Sequence, residues 1–155
     1  MKADVSMTNE SFSFLSNSSG FLNLVLNNIN SCVLLLDKDM RLHAFNDAMK
    51  TIFSNRKDED LQYVKCGEAI GCAYQIKERT NCGETSQCNN CELRVSALKS
   101  YVNDDVVYKE HIVKPFFTYE NKKVDKHLQF STRLFHHNKE KHIIMIIEDI
   151  TNHIK

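Results

Sequence analysis

The 155-residue chain lacks a net charge: 20 Lys and Arg stand against 20 Asp and Glu. No overall field therefore draws it to nucleic acid, an acidic substrate or an anionic membrane. It lacks long apolar runs, and none approaches the roughly 20 residues that span a bilayer. Its first residues, "MKADVSMTNESFSFLSNSSG", carry no apolar core behind a basic end, so they do not read as a secretory leader. A cytoplasmic protein is expected. Also missing are a phosphate-binding glycine loop, a Ser-His-Asp order and a paired-carboxylate motif, so catalysis has no support and a non-enzyme is expected. There is no internal repeat and no extended low-complexity segment. Glycine is scarce: three of the four in the chain fall between Arg56 and Asn90.

Cysteine is different. Four of the six, Cys72, Cys82, Cys88 and Cys91, lie in one stretch, "GCAYQIKERTNCGETSQCNNCELR". In a reducing compartment such a cluster ligates metal or does redox chemistry more often than it staples a fold.

The rest of the chain has the length of one domain. Residues 1–19 are rich in Ser and Asn and read as a flexible N-terminal arm, leaving residues 20–155 as the domain. "GFLNLVLNNI" predicts a short helix with Phe21, Leu22, Val25 and Ile29 on one face and Ser18 or Ser19 as its cap. With Leu24 and Leu26 added, that helix has more apolar surface than one covered face needs, which predicts a homodimer or a partner complex. Cys32–Leu36 and Arg41–Phe45 read as two strands about the turn Asp37-Lys38-Asp39, followed by a helix that Asn46 would cap, with Ala48, Met49, Ile52 and Phe53 as its stripe. From Arg56 to Asn90 neither a strand nor a helix period is sustained, and an irregular segment of that length needs a ligand or crosslink to hold it. "CELRVSALKSYV" is helical, with Leu93, Ala97 and Tyr101 on one side. Three strands close the chain, in "VVYKEHIVKPFF", in "KHLQFSTRLFHH" with Leu128, Phe130 and Leu134 inward, and in "KHIIMIIEDI". The order predicts an α+β domain, an antiparallel sheet covered on one face.

Two pieces, "LLLDKDMRLHAFNDAM" and "IIMIIEDIT" with its Asp149-Ile150-Thr151 triplet, resemble the opening hairpin and the last strand of a PAS domain. The resemblance runs from about Phe21 to Thr151. It implies a five-stranded antiparallel sheet whose helical side holds a small ligand or cofactor, and a sensory or signalling role. "GEAIGC" with "CGETSQCNNCELR" is similar to a cysteine-rich variant in PAS modules of bacterial sensor kinases. On that resemblance Cys72, Cys82, Cys88 and Cys91 are the metal and cofactor ligands. A protein partner such as a sensor kinase or another signalling output is implied, and both a stand-alone sensor and a segment of a larger protein fit.

The spacing leaves the centre open. Cys88 and Cys91 form one C-x2-C pair, a unit common to zinc and iron–sulfur sites. Asn90 as a helix cap would put Cys91 in a first turn, where the dipole favours thiolate. Four thiolates on Zn2+ or on a [4Fe-4S]2+ cluster leave a net charge near minus two, which Lys77, Arg79 and Arg94 could offset. An iron–sulfur cluster sensing oxygen or redox state is the first expectation and zinc stapling an interaction module the second. A thiol/disulfide switch using Cys82 with Cys88 or Cys91 is the third. Cys66 and Cys32 are expected to be buried residues rather than ligands. Asn81-Cys82 resembles the photoactive position of flavin-binding LOV domains, but Gly-Glu-Thr follows it, not Arg-Phe-Leu-Gln. His136 and His137 read as solvated residues at a strand end.

Overall fold

The computed structural model describes residues 20–137 and 139–153, with side chains in the first helix described from residue 24 onward. The arm assigned to residues 1–19, the Ser18 or Ser19 cap and the Phe21 and Leu22 side chains lie outside this description. In chain order the elements are α1 (Gly20–Asn28), β1 (Cys32–Leu36), β2 (Leu42–Phe45), α2 (Ala48–Ile52), α3 (Cys66–Ala69) and α4 (Ala73–Glu78). A 3-10 turn at Cys88–Asn90, α5 (Glu92–Asn103), β3 (Val107–Phe117), β4 (Lys123–His137), β5 (Glu140–Asp149) and a last 3-10 turn at Thr151–His153 follow. Among the described residues no helix is long and apolar enough to cross a membrane.

The five strands form one antiparallel sheet in the order β2-β1-β5-β4-β3. The β1–β2 turn follows from Asp37, whose Oδ1 accepts the N–H of Asp39 (2.8 Å) and of Arg41 (3.1 Å) and so replaces ladder partners with its own carboxylate. Glycine is too scarce to serve every left-handed position, so Met40 in that turn, Asn121 between β3 and β4, and Asp104 at the C-cap of α5 all take positive φ. Pro115, which lacks a ladder N–H, falls on β3, an edge strand where that loss is tolerated.

Strand alternation sorts the apolar residues. Leu34, Leu36, Ile143, Met145, Ile147, Leu128, Phe130, Ile112 and Phe116 belong to one buried cluster with Met49, Phe53, Ala69, Ile70, Leu93 and Ala97 from the helical side. Phe53 and Phe116 meet at 4.9 Å between ring centroids. Thr132, fully buried on β4, bonds the Ser100 hydroxyl (2.7 Å) and the Ser96 carbonyl (3.1 Å), which fixes α5 on the sheet without leaving a buried hydroxyl unmatched. On the other face, Val33, Leu35 and Ala44 form a smaller cluster with Leu26, Ile144 and Phe135.

The α+β sheet expected from the sequence is present with all five strands. Three local expectations need correction. Asn46 does not cap α2. Its amide spans Val33 N–H (2.9 Å), Leu26 O (2.7 Å) and Ser31 O (2.8 Å), and the cap position is Asp47. The segment from Arg56 to Asn90 is not without regular structure, because α3, α4 and a 3-10 turn lie in it, each too short to show a period. Leu134 is only half-buried, and Thr132 takes the inward position beside Phe130.

Candidate metal centre

Each cysteine of the stretch, and Cys66 before it, is placed by a different local device. Cys66 opens α3, with its N–H on Met40 O at 2.7 Å, so the β1–β2 turn holds it. Cys72 is the N-cap residue of α4 and bridges Phe116 of β3. The turn before it needs a glycine: Gly71 has φ +76°, and a Cβ there would stand 2.6 Å from Asn55 Cβ and 2.9 Å from Phe117 O. Cys82 lies against Gly67, whose N–H donates to Cys82 Sγ at 3.2 Å. Cys88 begins the 3-10 turn, and its sulfur accepts the N–H of Gly83 and of Thr85, each at 3.2 Å, with the Thr85 hydroxyl 2.9 Å away. Cys91 occupies the N-cap of α5, one residue later than the Asn90 cap expected, and its N–H reaches Cys88 O at 3.2 Å.

These devices bring all four predicted residues to one cavity of about 30 Å³, also lined by Met40, Ile70, Tyr74, Leu93, Arg94 and Lys114. Cys66, expected to be buried rather than a ligand, is 2% exposed and lines the same cavity. Cys32 is buried within β1 and does not line it. All six cysteines are free thiols.

Burial sets the charge of two of them. It pushes the Cys66 thiol well above its ordinary value, and the neighbouring sulfurs, Cys82 first, push it further. Cys82 is pushed up to about 11, again mainly by burial, with the Gly67 N–H opposing. The compensating cation was not among those expected. Lys77 and Arg79 are exposed, and only Arg94 lines the cavity. The buried cation is Lys114 of β3, 9% exposed, lining the cavity with Cys72 and with Nζ 5.1 Å from the centroid of the Tyr74 ring. Burial alone would lower its pKa, but its proximity to Cys91 and Cys72 more than offsets that and raises it. A sequence signal for it existed: Lys114 is in strand phase with Ile112 and Phe116, the inward residues of β3.

The donor chemistry suits a soft metal. Five cysteines line one cavity, main-chain N–H groups point at the sulfurs of two of them, and the buried Lys114 lines it with them. The sulfurs surround the space without closing on a point: among the described residues no three His, Cys, Asp or Glu side chains are positioned as an ion's ligand set.

No family model matches the chain, and no curated protein matches it. Solved structures do. The chain is similar to the PAS domain of nitrogen regulation protein NR(II) from Vibrio parahaemolyticus, at 10% identity over 82% of this chain and 95% of that one, TM-score 0.57. It is also similar to the PAS domain of Bordetella pertussis BvgS, at 16% identity over 84% and 85%, TM-score 0.54. A domain of a sensory box sensor histidine kinase/response regulator from Geobacter sulfurreducens matches at 13% identity over 85% and 94%, TM-score 0.50. At such identities the likeness concerns the path of the backbone, and that path is the PAS fold.

Proposed function

We propose that the protein is a cytoplasmic sensory module of PAS type whose input site is the cysteine-lined cavity. There the thiolates of Cys72, Cys82, Cys88 and Cys91 hold a metal centre that reports oxygen or redox state. One observation carries this reading: four cysteines from four separate local structures reach the same cavity against β3.

The chain's own residues do two things at this site. Gly83, Thr85 and Gly67 aim N–H groups at Cys88 and Cys82, which orients the sulfurs. Cys72 and Cys91 connect the cavity to structure: Cys72 bridges β3, and Cys91 starts α5, which rests on the sheet through Leu93, Ala97 and the Ser100–Thr132 bond. A change in either sulfur's position is therefore carried to the sheet. From there a protein partner, such as the kinase to which the Geobacter sulfurreducens domain belongs, would read it. A homodimer through α1 is part of this reading, supported by the exposure of Leu24, Val25 and Ile29.

Two centres suit four thiolates. An iron–sulfur cluster supplies reversible electron transfer and sensitivity to oxygen. Zinc supplies a crosslink. Anaerobic purification followed by iron, sulfide and zinc analysis per chain decides between them. A brown protein with iron and sulfide supports the cluster, and a colourless protein with one zinc supports the staple. A protein that carries no metal and cannot be loaded with one would sink the proposal in favour of a Cys82–Cys88 or Cys82–Cys91 thiol switch.

A further inference from the structure

Lys114 is buried on the covered face of the sheet, and a cation taken from water needs a counter-charge there. The ion pairs among the described residues are His43–Asp37, Arg56–Glu59 and Lys126–Asp149, and Lys114 has no carboxylate in any of them. Its directly opposite neighbour on β4 is a second cation, Lys126, and that lysine already holds Asp149 at 3.1 Å. What Lys114 meets instead is the Tyr74 ring and the cavity that Cys72, Cys82, Cys88 and Cys91 line.

We infer that Lys114 is a positioning residue of the cysteine site, the built-in counter-cation of a thiolate centre, and that it selects for a centre of net negative charge. The inference rests on the metal-binding reading above. Four thiolates around a divalent ion, or around a cluster core of charge plus two, carry a net charge of minus two, and a buried ammonium beside them removes part of it. With the centre lost, the same ammonium lies opposite Lys126, which already holds the Asp149 carboxylate. Loaded and empty forms then differ by an unbalanced charge on β3, next to the Cys72–Phe116 bridge.

The test uses the whole chain with Lys114→Met, which keeps the apolar stem, and Lys114→Arg, which keeps the charge. Zn2+ is titrated against a competing chelator, and thermal unfolding is followed with and without zinc. Lys114→Met should bind the same number of zinc ions about tenfold or more weakly, while Lys114→Arg stays near wild type. The metal-free Lys114→Met protein should melt above metal-free wild type, and its gain on adding zinc should be smaller. A lysine that serves only packing would lower both melting points together. That outcome, equal zinc affinity in wild type and Lys114→Met, or a Lys114→Met chain that folds in neither state, overturns the inference while leaving the metal site standing. A wild-type protein that binds neither zinc nor an iron–sulfur cluster overturns the metal reading itself.

Discussion

Cys72 and Phe116 form an isolated antiparallel bridge, and beside it the Phe117 N–H donates to Gly71 O at 2.9 Å. The first cysteine of the stretch is thus fastened to an edge strand by main-chain bonds that need no metal, whereas Cys82 and Cys88 are held by bonds to their sulfurs.

That difference predicts how the ligand set responds to substitution. Changing Cys72, Cys82, Cys88 or Cys91 to Ser should each remove most of the bound metal, because a soft donor is lost from a four-coordinate centre. Cys32→Ser should keep full occupancy, and so should Cys66→Ser, each at a cost of about 1 kcal/mol in packing. Metal analysis of the six variants checks this. If Cys66→Ser empties the site and Cys72→Ser does not, the ligands are Cys66, Cys82, Cys88 and Cys91.

Gly67 gives a test by size alone. A Cβ there would lie 2.7 Å from Cys82 Sγ and 3.1 Å from its Cβ. Gly67→Ala should displace Cys82, destabilise the segment by about 1–3 kcal/mol and weaken metal binding. Hydrogen exchange should show the loss of protection confined to residues around Cys66–Cys91. Unchanged metal affinity would mean that Cys82 is not a ligand.

Asp149 predicts a pH dependence. Burial alone would raise its carboxyl, but hydrogen bonds from the Thr151 hydroxyl and N–H and from Lys126 more than offset it and hold it below its ordinary 3.8. A folded-state value below the unfolded one adds stability that is fully present above the unfolded value and is lost as pH falls through the folded value. Asp149→Asn should cost about 1.5–3 kcal/mol at neutral pH and should lose less stability than wild type on acidification below about 4. Denaturant midpoints measured across that range check the sign, and parallel curves for the two proteins would refute it.

On α1, Leu24 and Val25 are 44% and 42% exposed, Ile29 just after it is 40% exposed, and Leu26 packs on Val33, Leu35 and Ala44. Leu24→Asp or Val25→Asp should therefore halve the mass seen by light scattering with stability changed by no more than about 0.5 kcal/mol, and Leu26→Asp should lower stability instead. A wild-type protein already of single-chain mass removes the dimer.

The sheet and the list of sulfur donors are legible in the order of residues alone. Alternation in Leu128 and Phe130 and the apolar run Ile143–Ile147 mark strands because side-chain period follows directly from backbone geometry. The cysteines announce themselves by type and density. Only the tertiary structure decided what stands around them. Cys66 joins the cavity because α3 hangs from the β1–β2 turn, and Asn46 spends its amide on Val33, Leu26 and Ser31 because β1 and α1 pass within reach. Lys114 reaches the cysteine cavity because β3 runs beside the start of α4, a meeting of residues far apart in the chain that local periodicity does not encode. The strand pattern shows that Lys114 points inward, but a buried cation must find an anion, and its partner is fixed only when the chain has closed upon itself.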